Sequence, residues 1–523
     1  MSSQTSQTRS MVLRGVAALS LTLLAAGATA TNAATRVAAG NDILHLAYFA
    51  DMSSPDPDIF YDVEGNTLTQ SLYEGLLQYK PNSTQVEGDL ATSWSRSSNG
   101  LRYTFYLRPH VRFSDGTAMD STAVKLSFQR RTAVNQGPAY MLADVARYET
   151  PNAHTFVVAL KHPVSPFLSF MASTWGPKLI SPRILKLHAA DHAQAWLSTH
   201  ADGTGPFMLA SFQRGQRYVM VRNPYYWGPK PYFREADIDI IPDVSAQLLR
   251  LQKGDLDVIL HGLPLSDLPS VSSDHNLAVR TFSSLDTGAV YLNTRRPELA
   301  KASVRQAVVD AMDIAGLVKT VYGNTATVAN SVYPDGLLKP SLAPASFPYN
   351  LTAITKALPH GLTLSLVYSQ DASGVVQRMA DLVRQKLALA GITVNERQVQ
   401  LPEVYNYIKN LANAPDLYLA TPAPDAANPD TWARIVWHSN GALNFFGYSN
   451  TAVDAAMDKG LRETNPAAAT ADYGRVGQVA GADRAVVSFA YVQDVMPMRA
   501  DLIHVEHVSA YPWALNLGTL ARK

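Results

Sequence analysis

The sequence predicts an α/β protein built from two lobes of different construction, and three observations support this prediction. The chain has 523 residues, which exceeds the length at which a single hydrophobic core usually stops growing. Its first half is rich in strand signals, whereas its second half alternates helices with strands. The change from one pattern to the other falls near residue 285.

Short apolar or alternating segments predict the strands of the first half. They lie at residues 43–49, 101–107, 155–160 and 217–222. In the second of these, an apolar side chain occupies every second position, and the same alternation resumes at Val111 and Phe113. Asp120 predicts the N-cap of a helix whose Val124 and Phe128 share one face.

Two apolar stripes with helical spacing predict the main helices of the second half. The first stripe consists of Val304, Val308, Ala311 and Met312. The second consists of Val376, Met379, Val383 and Ala390. Gly391 predicts the end of that helix, because a left-handed glycine commonly follows the last helical turn. A strand at 392–394 is expected immediately afterwards.

The N-terminus has the pattern of a secretory signal peptide, predicted at residues 1–30. Arg9 and Arg14 precede an apolar run at 16–28, and small residues form cleavage sites at Ala30 or Ala33. The alternative is a membrane anchor, but the apolar run is shorter than the ~20 residues that span a bilayer. The chain has no cysteine, so it also lacks the lipid-modified cysteine that tethers many exported proteins. We therefore expect a protein released into a periplasm, not a lipoprotein.

Composition excludes several classes of function. The formal net charge is +1, and it becomes −1 when residues 1–30, with two arginines and no acid, are removed. A near-neutral chain without long basic runs has no electrostatic footprint for nucleic acid. The absence of cysteine excludes disulfides, thiolate nucleophiles and iron–sulfur ligation.

No catalytic signature of the hydrolase, zinc-protease, P-loop or dinucleotide-binding type is present. Two histidine pairs are candidates for metal ligands: His188 with His192, at helical spacing on a predicted helix, and His504 with His507. Neither pair has a third ligand at a recognisable spacing, so no metal and no cofactor is predicted. The three adjacent aromatics at 225–227 are better explained by packing beneath a loop than by ligand stacking.

Short motifs spread over residues 73–313 resemble the extracytoplasmic solute-binding proteins of the peptide and nickel class, which feed ABC importers. These motifs, in chain order, are Tyr73-Glu74-Gly75-Leu76, Leu90-Ala91 with Ser93-Trp94, Gly100 to Leu107 with Phe113-Ser114-Asp115-Gly116, Gly203-Thr204-Gly205-Pro206-Phe207, Arg222-Asn223-Pro224 with Tyr226-Trp227, Gly254-Asp255-Leu256-Asp257, and Val304-Arg305-Gln306-Ala307 with Asp313. Each motif is a weak signal alone, but finding all of them in the order in which they occur in the family is specific. The resemblance implies that the alternating strand at 101–107 is part of the scaffold of the first lobe.

The resemblance implies a type II periplasmic-binding-protein fold, in the large variant with an extra subdomain in the first lobe. Lobe I would comprise residues 35–285 together with 496–523, and the inserted subdomain would lie at about 75–205. Lobe II would comprise residues 286–495. It also implies a monomeric, non-enzymatic receptor whose lobes close on a peptide or peptide-like solute and deliver it to an inner-membrane ABC permease complex.

The resemblance also implies a ligand site in the stretch TPAPDAANPDTW, residues 421–432. Asp425 stands where peptide-binding relatives pair an aspartate with the ligand's α-amino group. Further residues are expected at the ligand: Thr421, Ala423 and Trp432 from this stretch, Ala50 and Asp51 from the loop after the first strand, and Gln370. The alternative is that Asp425 is an exposed residue of a proline-rich loop and has no role in binding.

Three departures from the family pattern bear on the ligand. Pro422 replaces a usual tryptophan and removes a backbone N–H. Asn428 replaces a second acid, and Gln370 replaces the arginine that binds a dipeptide's carboxylate. Two alternatives therefore stay open: the same fold binding a nickel chelate, an opine or another small amine-bearing solute, and a secreted metallohydrolase that uses His504 and His507.

Overall fold

The computed structural model describes residues 42–369, 371, 373–507 and 514–523 of the chain. The predicted signal peptide at 1–30 and the candidate residue Gln370 lie outside these residues. No helix in the described ranges is both long and apolar enough to cross a membrane.

The strands follow the chain from residue 43 to residue 522. They are β1 (Ile43–Tyr48), β2 (Leu77–Tyr79), β3 (Val86–Gly88), β4 (Ala91–Arg96), β5 (Arg102–Leu107), β6 (Val145–Asn152), β7 (Thr155–Leu160), β8 (Phe207–Gln213), β9 (Arg217–Arg222), β10 (Glu235–Ile240), β11 (Val258–Ile259), β12 (Leu277–Leu292), β13 (Ala326–Val328), β14 (Thr363–Ser369), β15 (Thr393–Val399), β16 (Leu417–Ala420), β17 (Val486–Arg499), β18 (Leu502–Ile503) and β19 (Ala521–Arg522).

The α-helices occur in both halves of the chain, and helices of the second half cover most of the two predicted apolar stripes. They are α1 (Asn66–Leu72), α2 (Ser121–Val134), α3 (Phe167–Ala172), α4 (Pro182–Leu187), α5 (Gln194–Leu197), α6 (Val244–Lys253), α7 (Leu268–Ser272), α8 (Ala302–Ala311), α9 (Ile314–Tyr322), α10 (Leu351–Ala357), α11 (Val375–Leu389), α12 (Leu401–Asn406), α13 (Pro429–Trp437), α14 (Thr451–Arg462) and α15 (Pro466–Asp483).

A mixed sheet of 11 strands runs through the molecule in the order β15-β14-β16-β12-β17-β11-β1-β10-β9-β8, with β13 paired to β17. At one end β14 runs parallel to β15 and β16. At the other end β8, β9 and β10 are antiparallel. The antiparallel pair β12 and β17 lies between these ends. A separate four-stranded sheet has the order β4-β5-β7-β6.

Most predicted elements are confirmed. The strands at 155–160 and 217–222 have the expected bounds, and the alternating strand buries Tyr103, Phe105 and Leu107. The Asp120 carboxylate caps α2 by accepting a hydrogen bond from the Ala123 N–H at 2.8 Å. Gly391, with φ of 82°, follows the end of α11.

The strands of the first half pair in both directions, because β1 is parallel to β10 and β11 whereas β8, β9 and β10 are antiparallel. One expectation about local structure is wrong. His188 and His192 do not share a helix face, because α4 ends at Leu187 and His192 adopts a left-handed backbone with φ of 57°. The helical spacing of the two histidines is therefore a coincidence of sequence.

The buried apolar residues form separate hydrophobic cores. The first core draws its members from residues 44–285 and 496–520, with Ala426 as the exception. The second and third cores draw theirs from residues 289–490. A small fourth cluster packs around Ala47 and Leu251. The long strands β12 and β17 contribute residues to the cores at both ends.

The pairing of β12 with β17 is interrupted between these cores. Ser283 pairs with Gln493 and Thr287 with Tyr491, so three residues of β12 face one residue of β17. Asp286 lies in this irregular stretch and is 4% exposed. Burial, together with the charge of Asp494 on β17, raises the pKa of the Asp286 carboxyl well above its ordinary value.

This raised pKa predicts a pH-dependent loss of stability. The folded state binds a proton at Asp286 that the unfolded state releases near pH 4, so stability falls as pH rises from about 4 toward the folded pKa. Asp286→Asn removes this titration. We expect the free energy of unfolding of the variant to fall between pH 4 and pH 8 by at least about 1 kcal/mol less than that of the wild type. Urea denaturation at both pH values measures this difference. Asp255→Asn, at an exposed position, is the control, and equal pH dependence in the two variants would contradict the prediction.

Candidate functional site

The loop at residues 421–428, here called the aspartate loop, connects β16 to α13. Its end is fixed by the sequence Asn-Pro: the Asn428 side chain caps α13 by accepting from the Asp430 N–H at 2.9 Å, and Pro429 occupies the first helical turn. Near its start, the Pro422 carbonyl accepts a hydrogen bond from the Thr287 N–H at 3.1 Å. The loop is thus anchored to β12 at one end and to α13 at the other.

Asp425 contacts two tyrosines that come from a distant part of the chain. The Tyr140 hydroxyl donates to Oδ2 of Asp425 at 2.5 Å, and the Tyr61 hydroxyl donates to the same oxygen. Burial raises the pKa of the Asp425 carboxyl above its ordinary value, and the two hydroxyls oppose this rise. A third tyrosine, Tyr405, lies near Asp425. Burial raises the pKa of the Tyr405 hydroxyl, and the negative charge of Asp425 raises it further.

The aspartate loop is also held by its backbone against the first core. The Ser173 hydroxyl donates to the Asp425 carbonyl at 2.5 Å. The Ala427 N–H donates to the Tyr79 hydroxyl at 2.9 Å. Between them, the fully buried Ala426 side chain belongs to the first core, and Ala427 packs against the same core, whereas Ala420 before the loop and Trp432 after it belong to the third core. The loop is therefore one of the places at which the second half of the chain docks onto the first half.

Tyr61 and Tyr140 are both positioned by aromatic neighbours near α3. The Tyr61 ring meets Trp175 edge to face, with centroids 5.9 Å apart. The Tyr140 ring meets Phe170 in the same way at 5.8 Å. Aromatic pairs prefer this geometry. Because Phe170 and Trp175 lie only five residues apart, residues 167–175 form one platform beneath both tyrosines.

A network of buried charges fixes the loop that carries Tyr61. The Arg130 guanidinium pairs with Asp56 at 2.5 Å and with Asp58 at 2.6 Å. Arg131 pairs with Asp58 at 2.7 Å. Arg131 also donates to the Trp175 carbonyl at 2.7 Å, so the same network reaches the aromatic platform. All four charged side chains are almost fully buried.

The other predicted ligand residues have different positions. Asp51 accepts a hydrogen bond from the Tyr218 hydroxyl, and neither Asp51 nor Ala50 is hydrogen-bonded to Asp425 within the described residues. Thr421 and Ala423 lie in the aspartate loop and are half-buried. Trp432 is a correction: it is fully buried in the third core, where its indole N–H donates to the Val332 carbonyl at 3.2 Å, so we remove it from the proposed site.

The histidine pairs form no recognisable metal site. His188 stacks on Trp196 with centroids 5.7 Å apart. His507 is fully buried, and its Nε2 lies 2.7 Å from the Asp494 carboxylate, whereas His504 adopts a left-handed backbone. Among the described residues, no group of three or more histidine, aspartate or glutamate side chains is arranged to hold a metal ion.

The aromatic cluster at 225–227 is mainly a packing element. The Trp227 indole N–H donates to the Glu74 carboxylate at 3.0 Å, and the Arg108 guanidinium lies 3.8 Å above the Trp227 ring. Tyr226 and Trp227 also line a cavity of about 280 Å³ next to Glu74. These contacts favour the packing explanation for Trp227.

The sequence predicts Asp425 as a ligand residue but gives no prediction for Tyr61 and Tyr140, which contact it. The two tyrosines are 364 and 285 residues away from Asp425 in sequence. Tyr61 lies in the connection between β1 and α1, Tyr140 lies in a 3-10 helix at Gly137–Leu142, and neither belongs to a motif with a recognisable spacing. The paired acids Asp56 and Asp58 and the paired arginines Arg130 and Arg131 are a signal that the sequence does contain, because charged residues that become buried need charged partners.

Comparisons with known proteins identify the family of this chain. Residues 85–444 match the model of the bacterial extracellular solute-binding proteins, family 5 Middle. The chain belongs to this family. Family membership confirms the resemblance found in the sequence, and solved structures confirm the two-lobed fold.

Three relatives illustrate the range of the family. The chain is 30% identical over 489 residues to a probable D,D-dipeptide-binding periplasmic protein of Escherichia coli, covering 89% of this chain and 92% of that protein. It superimposes with a TM-score of 0.78 on a Helicobacter pylori periplasmic binding protein in complex with the peptide STSA, at 22% identity, covering 92% and 98% of the two chains. A Brucella suis protein in complex with Fe(III)-EDTA gives a TM-score of 0.82 at 20% identity, covering 92% and 100%.

The buried charge network predicts a large effect of removing one arginine. Arg131→Met leaves part of the Asp58 charge and two backbone carbonyls unpaired in the first core. We expect the free energy of unfolding to fall by about 3 to 5 kcal/mol, measured by urea denaturation. The matched control is Arg147→Met, which removes an exposed ion pair with Glu149 and should cost no more than about 1 kcal/mol. Similar losses in both variants would show that burial of the network is unimportant.

Proposed function

We propose that this protein is an extracytoplasmic receptor of an ABC importer, which captures a peptide or peptide-like solute between its two lobes. The observation that carries the proposal is the half-buried carboxylate of Asp425, which lies between two tyrosine hydroxyls where the two halves of the chain meet. A carboxylate in a closed cleft forms a strong charge-assisted hydrogen bond with an ammonium group. A peptide's amino end supplies such a group.

The proposed lobe boundaries are those expected from the sequence: residues 35–285 with 496–523 for lobe I, and 286–495 for lobe II. The membership of the hydrophobic cores supports them, because the first core and the second and third cores change over close to residues 285 and 490. The inserted subdomain at about 75–205 is supported by the separate four-stranded sheet, whose strands all lie between residues 91 and 160.

The proposed site contains Asp425 as the partner of the ligand's ammonium, with Tyr61 and Tyr140 beside it. Thr421 and Ala423 are proposed to contact the ligand's backbone, and Ala50 and Asp51 to line the cleft from the other side. Gln370 remains a proposed contact. The protein is proposed to act as a monomer in the periplasm, after removal of its signal peptide, and to deliver its ligand to a membrane permease without chemical change.

A second candidate ligand is a nickel chelate, an opine or another small amine-bearing solute. A structural neighbour in complex with Fe(III)-EDTA supports a chelate. The candidates differ in the group that Asp425 would meet: a peptide or an amine-bearing solute presents an ammonium, whereas an anionic chelate would be repelled by the carboxylate. Native mass spectrometry of the protein as purified distinguishes them by the mass of the bound molecule.

The peptide proposal predicts a large loss of affinity for Asp425→Asn. The variant keeps the shape and a hydrogen bond but removes the charge, and breaking one side of a buried ion pair costs about 3 to 5 kcal/mol. This corresponds to roughly a hundred-fold to several-thousand-fold in affinity. Isothermal titration calorimetry with D-Ala-D-Ala and with L-Ala-L-Ala measures this loss of affinity. The wild-type protein should bind the N-acetylated dipeptides more weakly than the free dipeptides by a similar factor.

The two changes should not be additive, because both remove the same pair. The N-acetylated dipeptides should therefore bind the Asp425→Asn variant about as weakly as the free dipeptides do. Binding of a free dipeptide to Asp425→Asn within about two-fold of wild type would mean that Asp425 is a loop residue without a role in recognition. The proposal would then shift toward the chelate.

Closure of the lobes predicts a change in overall size that X-ray scattering can measure. We expect the radius of gyration to be smaller with a bound dipeptide than without it, since receptors of this fold close around ligands by hinge motion. Ala426→Arg supplies an open reference, because a charged side chain cannot enter the first core, where Ala426 is fully buried. A wild-type radius equal to that of Ala426→Arg, both with and without dipeptide, would contradict closure.

A further inference from the structure

The two oxygens of the Asp425 carboxylate have different surroundings. Oδ2 accepts hydrogen bonds from both tyrosine hydroxyls. No residue in the described part of the chain donates a hydrogen bond to Oδ1, and none forms an ion pair with the carboxylate. The titratable groups that face Asp425 are Tyr61, Tyr140 and Tyr405. The carboxylate is therefore held through one oxygen only.

The hydroxyls that hold Oδ2 are themselves fixed by the platform at residues 167–175. Trp175, which meets the Tyr61 ring, donates through its indole N–H to the Asp62 carbonyl at 3.0 Å. Its backbone N–H donates to the Ser173 hydroxyl at 3.2 Å, and the Ser173 hydroxyl donates to the Asp425 carbonyl at 2.5 Å. The same few residues thus fix both the donors and the backbone of the acceptor.

Burying a carboxylate without a cation is costly unless hydrogen bonds replace the water it loses. The two hydroxyls replace part of that water when the aspartate loop docks on the first core. Because both point to one oxygen, they also fix the rotation of the carboxylate. A carboxylate held in this way presents its second oxygen in a single direction, so less ordering is needed when a ligand binds.

We propose that Tyr61 and Tyr140 are positioning residues for ligand capture, whose hydroxyls hold Oδ2 of Asp425 across the closed cleft and direct Oδ1 toward a primary ammonium group of the ligand. The direction toward an ammonium rests on the proposed function. The hold on Oδ2 does not, and it is testable in the protein without ligand. A quaternary or acylated amine would gain less from this arrangement, because it has fewer N–H groups or no charge to offer Oδ1.

The hold has a consequence for stability that a purely structural role of the rings does not have. Both hydroxyls lower the pKa of Asp425 against the effect of burial. Removing the hydroxyls raises the pKa of Asp425 in the folded state further, so the ionised carboxylate destabilises the folded state more at high pH. The sign follows from proton binding: an acid with a raised folded pKa loses stability as pH rises from its unfolded value to its folded value.

The first experiment is a double-mutant cycle read at two pH values. Thermal unfolding midpoints of ligand-free protein are measured at pH 4 and pH 8 for Tyr61→Phe and Tyr140→Phe, each alone and combined with Asp425→Asn. Each Phe variant should lose about 2 to 4 °C more at pH 8 than at pH 4 in the wild-type background. The extra loss should vanish in the Asp425→Asn background.

The control is Tyr106→Phe, which removes the hydroxyl of an exposed tyrosine on β5 and should shift the midpoint equally at both pH values. The proposal is overturned if the Tyr61 and Tyr140 variants behave like this control. It is also overturned if their extra loss at pH 8 persists when Asp425 is replaced, because the hydroxyls would then act on another group.

The second experiment measures the affinity for D-Ala-D-Ala and L-Ala-L-Ala at pH 5 and pH 8. Tyr61→Phe and Tyr140→Phe should weaken binding about ten-fold more at pH 5 than at pH 8, because a raised pKa keeps Asp425 protonated at the lower pH. Coupling in the unfolding cycle without binding of either dipeptide would support the hold on Oδ2 and contradict the dipeptide ligand. Binding that depends on Asp425, without coupling in the cycle, would support the receptor and overturn the positioning role.

Discussion

The arrangement of the site depends on four charges buried in the first core, on Arg130, Arg131, Asp56 and Asp58. Each guanidinium is satisfied by carboxylates or backbone carbonyls at 2.5 to 2.9 Å. Buried ion pairs stabilise a protein little more than apolar residues of similar size would, but removing one partner is strongly destabilising. Here the ion pairs serve mainly to fix the positions of the segments that they join. They tie the loop before α1, which carries Tyr61, to α2 and to the carbonyl of Trp175.

This constraint explains how a cleft between two halves of a chain can hold a carboxylate in a defined place. Tyr61 is fixed through the charge network, and Tyr140 follows α2, from which the two arginines project. The acceptor, Asp425, arrives from the other half on a loop whose ends are fixed by β12 and by the Asn428 cap. The contact between them forms only when the two halves dock, so in the proposed receptor recognition and closure would involve the same residues.

Local rules predicted much of the fold but only part of the site. Alternation at 101–107, the Asp120 cap and the glycine after α11 depend on neighbours in sequence, and the structure confirms them. The parallel pairing of β1 depends on strands that follow almost 200 residues later, which no local pattern encodes. Asp425 is predicted as a ligand residue only because a family motif marks its place. Tyr61 lies in a loop held by the buried charges and Tyr140 lies in a 3-10 helix that follows α2, so their convergence on Asp425 could not be read from spacing.

The departures from the family pattern in the aspartate loop have structural explanations that bear on recognition. Asn428 stands where an acid is usual, and its side chain caps α13, so that position serves the helix. Pro422 has no N–H to donate, and its carbonyl already accepts a hydrogen bond from Thr287 of β12. Pro424 has no N–H either, so Thr421 and Ala423 supply the backbone N–H groups in this half of the loop. A short ladder contributes little binding energy, since each hydrogen bond adds about 0.5 to 1.5 kcal/mol. In the proposed receptor, the charge on Asp425 would then carry a larger share of recognition, which favours selection for the amino end of a ligand over selection for its length.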